Sequence, residues 1–342
     1  MVPKPKVQKL LLDYFVIYKA LTPVFMDTST ERHYTFAFYN LENLFDTVDD
    51  PHTLDDDFTE TSDRKWNEKR FRKKIKKLGS VIQQIGYEEI GFPPVLVGVA
   101  EVENNYVLEQ LVHSKFLKQK EYGIVHFESP DERGIDTALL YRKKYCTVLN
   151  AKAHPVYLET ETGERDYTRD ILCAKLELEG HPFYVLVNHW PSRRAGVKET
   201  APKRMVVAKK NIAIVKNITA ENPDARIVLM GDFNDDPESE SVQHLVANGF
   251  YNPMELLLTH ESGSLSHKGA WNLFDQLLVS HNFMKPYKNP FAFEEASIFN
   301  KRHLTEYEGR RKGNPFRTFL GRRYAGGFSD HFPIFVRFSM NG

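Results

Sequence analysis

Residues 228–237 read VLMGDFNDDP, an apolar run that stops at Gly-Asp-Phe-Asn and then turns through Asp-Asp-Pro. Short runs rich in Val, Ile, Phe and Tyr that end in polar residues are strand signals. Polar groups at such an end sit where strand meets loop, the place where catalytic groups gather. Taken alone, the Gly-Asp-Phe-Asn segment is also simply a good turn, because Asn and Asp bond their own backbone. What lies on either side decides between the two.

The same pattern recurs along the chain. Residues 34–43, YTFAFYNLEN, place Asn40 and Glu42 two residues apart, on one face if the strand continues through them. Residues 95–104, VLVGVAEVEN, end a buried strand at Glu101, and residues 185–193, VLVNHWPSR, end one at Asn188 and His189. NLFDQLLVS begins a strand at Asp275, and FSDHFPIFVRF begins one at Asp330 and His331. Each segment alone has a dull explanation as a cap, a turn or a surface pair. Six of them in order, delivering an Asn, several carboxylates and two histidines, do not.

Strand-like runs fall at residues 33–39, 95–99, 137–141, 183–188, 227–231, 274–279 and 332–338. Residues 66–85 repeat Phe71, Ile75, Leu78, Val81, Ile82 and Ile85 at helical steps with Lys and Arg opposite, and residues 202–218 carry a second such pattern. The elements lack the regular alternation of a doubly wound sheet, so the spacing predicts two packed sheets flanked by helices. Residues 32–342 read as a single domain after an N-terminal extension, 1–31, expected to be helical. The acidic residues 51–63 and the basic residues 285–327 read as irregular insertions.

Composition narrows the field. With 41% apolar and 13% aromatic residues the 342-residue chain can bury one large core, which excludes a disordered protein. Lys+Arg and Asp+Glu balance at 46 each, so polyanion binding must come from a local patch. Only Cys146 and Cys173 occur, without CxxC spacing, so neither a thiolate metal site nor a disulfide scaffold is expected, and two buried thiols are. Residues 7–26 are apolar but interrupted by Asp13 and Lys19, which argues against a signal or an integral membrane segment and for an amphipathic helix. A cytoplasmic protein with no obligate protein partner is the expectation.

The ordered series Asn/Glu, Glu, NHWPS, GDFN and SDH resembles the endonuclease/exonuclease/phosphatase superfamily over residues 35–338. The resemblance implies a four-layered α/β sandwich of two packed mixed β-sheets flanked by helices, with a metal site at one edge. It implies Mg²⁺-dependent hydrolysis of a phosphoester by in-line attack of an activated water, Mn²⁺ being a possible substitute. By match to the motif, Glu101 is the metal ligand, with Glu42, Asn40 and Asp330 beside it, although Glu stands at 42 where relatives more often carry Asp. Mg²⁺ takes hard oxygen ligands and keeps several waters, so one or two carboxylates suffice. Asp232 would accept the proton of the attacking water and Asn234 would orient it. His331, its tautomer set by Asp275, would donate to a non-bridging oxygen.

His189 corresponds to the histidine that DNase-like members use on the leaving oxygen, with Asp136 of RGIDTALLYRK as its acidic partner. Arg193 and Arg194 follow at once and suit a second phosphate, or form a solvated loop. Trp271, with His267, would wall the cleft. Residues 301–323 carry eight Lys/Arg interleaved with Tyr307, Phe316 and Phe319, which suits a nucleic-acid strand and equally an inositol phosphate. A DNase-like enzyme acting on nucleic acid is the leading expectation. A phosphatase or sphingomyelinase-like phosphodiesterase acting on a small or lipid phosphoester is the alternative. A catalytically dead binding module would require loss of a motif residue, and none is lost.

Overall fold

The computed structural model describes residues 31–284 and 290–340, so the expected helix in 1–31 lies outside the described residues. His33–Met340 form one compact unit. Twelve strands build two six-stranded sheets. The first holds β1 (Arg32–Leu44), β2 (Leu96–Val102), β3 (Tyr122–His126), β4 (Asp136–Arg142), β11 (Phe291–Ile298) and β12 (Ile334–Met340), in the order β11-β12-β1-β2-β4-β3. The second holds β5 (Cys146–His154), β6 (Ile171–Leu178), β7 (His181–His189), β8 (Ile227–Asp232), β9 (Phe250–Tyr251) and β10 (Asp275–Ser280), in the order β9-β10-β8-β7-β6-β5. Both are mixed: β1 runs parallel to β2 and β8 parallel to β7, while β2–β4, β4–β3 and β11–β12 in the first sheet and β8–β10, β10–β9, β7–β6 and β6–β5 in the second are antiparallel.

Period-two alternation assigns the layers. In β1, Phe36 and Phe38 point to the interior between the sheets, where they meet Val185, Met230, Val336 and Phe338. Ala37 and Tyr39 point the other way, onto α1 (Glu68–Ile82) and α2 (Asn105–Val112) through Leu78, Val81, Ile82 and Leu108. In β8, Val228 and Met230 face inward while Ile227 and Leu229 pack on α3 (Val197–Glu221) and α4 (Glu240–Ala247). Helix, sheet, sheet, helix is the four-layered sandwich the motif series implied. Asn67 and Asn104 cap α1 and α2 by accepting from Arg70 N and Val107 N.

Several elements depart from the sequence reading. The helix read over 202–218 spans Val197–Glu221 and carries Pro202 inside it. Residues 291–298, placed in an irregular insertion, form edge strand β11, whose outward Glu294 and Glu295 dilute the apolar signal. β3, β5, β6 and β9 were not singled out; β5 is an edge strand with only Cys146 buried along it.

Gly98 faces the other sheet at close quarters: a Cβ there would lie 2.5 Å from Met230 Sδ and 3.1 Å from Phe38 Cδ2. Gly98→Val should therefore cost about 1–3 kcal/mol by overpacking, read as a lower urea midpoint at unchanged slope; an unchanged midpoint would show that the interior can give way. Cys146 and Cys173 are free and buried, and burial pushes both thiols up to about 12. An aromatic disulfide reagent at pH 8 should label neither in the folded protein and both in denaturant, so rapid native labelling would contradict this packing.

Candidate active site

The pairing register gathers the motif residues at one edge. Parallel pairing sets Asp232 at the end of β8 beside His189 at the end of β7. Antiparallel pairing sets it opposite Asp275, which starts β10. Across the interior, Asn40 of β1 donates from Nδ2 to Asp232 Oδ2 at 3.0 Å. Asp232 Oδ2 also lies 3.8 Å from His189 Nε2 and 3.9 Å from His331 Nε2. Its other oxygen accepts from the Asn234 backbone N–H at 2.9 Å, so Asp232 is held from both sheets. Gly231 is obligatory beneath it, because a Cβ there would sit 2.2 Å from the carbonyl oxygen of Asn188.

His331 donates from Nδ1 to Asp275 Oδ2 at 2.7 Å, and its backbone N–H donates to Ser329 Oγ, which itself donates to Asn40 O. Asp275, fully buried, keeps His331 well above the usual imidazole range even though burial works against the charge. His189 moves the opposite way, well below that range, because burial and then Arg169 and Arg133 disfavour its cation. Asp232 is pushed up to about 6, chiefly by burial, with His331 opposing and Asp275 reinforcing. Ligand atoms of Asp232, Asp275 and His331 lie within 4.8 Å of one another. Within this trio Asp275 and His331 are hydrogen-bonded, while Asp232 faces the other ring nitrogen of His331 at 3.9 Å.

The pairing of β1 with β2 slips between Asn40 and Leu44, and that of β2 with β4 between Ala100 and Val102. These bulges rotate Glu42, Asn43 and Glu101 into left-handed backbone at φ 51, 54 and 60, re-aiming side chains as bulges beside active sites do. Glu101 then lines the cleft, with Oε2 accepting from Asn43 N at 2.8 Å and Oε1 4.0 Å from His189 Nε2. The slip also separates Asn40 from Glu42, which an unbroken strand would have kept on one face. Glu42 turns to accept from Thr318 N at 2.6 Å and Phe319 N at 3.4 Å, with Arg317 3.6 Å away. Burial and Asp330 raise its carboxyl to about 7 against the pull of Lys74. Asp330 is itself bonded by Arg317. Both carboxylates are thus committed to the segment that carries Arg317.

Other expected residues find different partners. Asp136 is bonded elsewhere than to His189: its oxygens are taken by His126 Nε2 at 3.0 Å and by the backbone and hydroxyl of Ser129, while His189 Nδ1 is buried without a hydrogen bond among the described residues. Arg193 borders the cleft but is spent on Asp235 at 2.8 Å, Asp236 at 3.3 Å and the carbonyl of Asn234, stacked over Phe274. Trp271 is on the wrong side of its short strand, Ala270–Asn272: Ala270 and Asn272 line the cleft, while the indole stacks on Phe332. Arg194 is exposed on the cleft wall without an ion-pair partner among the described residues.

Two arginines were missed. Arg133 lies 3.9 Å from Glu101 Oε2 and donates to Asn43 Oδ1, and Arg169 pairs with Asp131 at 2.8 Å while bonding the carbonyls of His189 and Trp190. Both line the cleft. The signal was present, for Arg133 opens the very RGIDTALLYRK segment read for its aspartate. The cleft spans about 900 Å³ and is walled by Arg133, Arg169, Arg194 and Lys268 over a floor of Glu101, His189, Asp232 and His331.

Among the described residues no helix is long and apolar enough to cross a membrane. No curated protein matches the sequence. Solved structures are similar in fold. An endonuclease/exonuclease/phosphatase family protein from Bacteroides thetaiotaomicron aligns with TM-score 0.55 at 14% identity, covering 92% of this chain and 97% of its own. TDP2 from D. rerio, complexed with a single strand DNA product, aligns at 0.52 and 19%, covering 90% and 98%. The human Nocturnin catalytic domain with bound sulfate aligns at 0.52 and 16%, covering 91% and 95%. The family model described as Endonuclease/Exonuclease/phosphatase family matches residues 35–340, so the chain belongs to that metal-dependent family and is a phosphoric-ester hydrolase.

Proposed function

We propose that the chain is a Mg²⁺-dependent phosphodiesterase that cleaves a nucleic-acid strand by in-line attack of water, in the manner of the DNase-like enzymes. The observation that carries the reading is Asp232, a carboxylate raised to about 6 and set within 4 Å of two imidazoles that differ in charge. A base whose pKa sits near the working pH takes a water proton more readily than an ordinary carboxylate. Asn234, in left-handed backbone at φ 50 with its backbone N–H on Asp232 Oδ1 and Nδ2 tied to Trp190 O, both at 2.9 Å, would orient the water with its amide oxygen. His331, held charged by Asp275, donates from Nε2 to a non-bridging oxygen as negative charge gathers there.

His189 is neutral, so it serves the phosphate as a hydrogen-bond donor in place of protonating the leaving oxygen. The oxygen donors suit a hard divalent cation: Glu101 Oε1 accepts no hydrogen bond among the described residues, and Asn40 stands on the adjoining strand with Oδ1 used only once. Glu101 and Asn40 would hold Mg²⁺ or Mn²⁺, while Glu42 and Asp330 shape the site through Arg317. When bound, the cation neutralises charge on the phosphate. Arg133, Arg169, Arg194 and Lys268 favour a polyanionic substrate over a zwitterionic lipid headgroup, and the neighbour solved with a DNA product supports the same class.

Purified protein assayed with Mg²⁺ or Mn²⁺ and with EDTA, on single-stranded DNA, RNA, supercoiled DNA, bis-p-nitrophenyl phosphate, an inositol polyphosphate and sphingomyelin, tests the reading. EDTA-sensitive cleavage of nucleic acid is expected; activity confined to the last two substrates would shift the enzyme to the phosphatase or sphingomyelinase-like class. Asp232→Asn should lower turnover by about 10²–10⁴-fold with the fold intact, and near-normal turnover would remove Asp232 from the role of base. His189→Ala should lose a similar factor on the oligonucleotide and on bis-p-nitrophenyl phosphate, whose leaving group needs no proton. A loss confined to the poor leaving group would restore His189 as the acid.

A further inference from the structure

A second cavity of about 680 Å³ lies beside the cleft, lined by His267, Lys268, Arg310, Arg311, Arg317 and Asp330. His267 and Lys268 line both spaces, so the hairpin of Leu265–His267 and Ala270–Asn272 is a ridge between them, with Lys268 at its tip. Asp330 is neutralised by Arg317, leaving the cavity's remaining charge positive. Arg310 and Arg311 are exposed on a single turn, Gly309–Arg311, and no carboxylate among the described residues pairs with either, although Glu306 and Glu308 share their loop. Of the eight cations in residues 301–323, Lys301, Arg317 and Arg322 are taken by Glu88, Asp330 and Asp63. The Thr305–Pro315 bridge closes this loop and holds up Tyr307, 59% exposed, in the same segment.

We propose that this cavity is a second anion subsite, which grips a phosphate of a single nucleic-acid strand that arches over the Lys268 ridge from the catalytic cleft, with Tyr307 offering a ring for an unpaired base to stack on. The inference rests on the nuclease reading and adds to it the direction in which the strand leaves the site. A compact polyphosphate cannot occupy both sides of a ridge, whereas a flexible strand places successive phosphates on either side of it. Arg317 joins the two, facing the subsite while it bonds Asp330 and approaches Glu42.

The test is binding of a fluorescein-labelled ten-nucleotide oligothymidylate in EDTA, followed by anisotropy over a salt series, beside hydrolysis of the same strand and of bis-p-nitrophenyl phosphate with Mg²⁺. For Arg310→Ser/Arg311→Ser, Kd should rise about tenfold and the salt dependence should lose about 1.4 in slope, two single-strand phosphate contacts. The loss in kcat/KM should be at least about tenfold larger for the strand than for the small diester. Lys268→Gly, a change that suits its left-handed backbone at φ 51, should weaken binding in the same way and guards against misfolding of the double variant. Unaltered affinity in both variants, or no binding by the wild type, overturns the subsite. Binding without hydrolysis of the strand, with the small diester still cleaved, overturns the nuclease reading and leaves the subsite standing.

Discussion

One hydrogen bond, from Asn40 Nδ2 to Asp232 Oδ2, crosses from the first sheet to the second. Packed sheets stand about 10 Å apart, a gap that an Asn and an Asp side chain reaching toward each other from facing strand ends close with a 3.0 Å bond between them. The interior supports that closure: Gly98 lets Met230 approach one sheet from the other, and Gly231 admits the Asn188 carbonyl against the turn that carries Asp232. With the bond in place, one carboxylate meets a neutral and a charged imidazole from different strands. The His331–Asp275 bond at 2.7 Å is a second tie between the same two halves of the site.

Around this point the chain spends buried charge on position. Arg204 is fully buried on α3, 2.7 Å from Asp235, and Arg193 bonds the same carboxylate from the opposite side. Asp235 is thereby clamped one residue after Asn234. Lys74, equally buried on α1, donates to Glu42 O at 2.5 Å and to Thr318 Oγ1 at 2.7 Å, tying the bulged end of β1 to the loop before β12. A buried ion pair such as Arg204–Asp235 adds little net stability but costs several kcal/mol when halved. The placement of these charges, each touching a residue next to the motif and none replacing it, is that of a brace.

The sandwich and the motif residues were legible because both depend on local pattern: apolar runs, period-two alternation and polar residues at strand ends. Asn40, Glu101, His189, Asp232, Asn234, Asp275 and His331 do converge, for register carries strand ends to a common edge. Side-chain partners were less legible, since they depend on what the fold brings close. Asp136 was read toward His189 but meets His126, and Arg193 was read toward substrate but meets Asp235. Trp271 was misplaced by one residue of alternation. Glu42 was misread because a bulge leaves no trace in spacing, and β11 because an edge strand may carry glutamates where a central one may not.

Glu42, Asn43, Glu101 and Asn234 all adopt a backbone conformation that suits glycine better than any of them. Such residues persist only where surrounding structure over-determines them. The site is therefore a stretch of chain where local preference and chemical need disagree, and the braces settle the disagreement in favour of chemistry. Anyone seeking a hardier version of this protein by relaxing unfavourable torsions would be drawn to these positions first, and every gain in heat tolerance made there would be withdrawn from the enzyme's readiness to act.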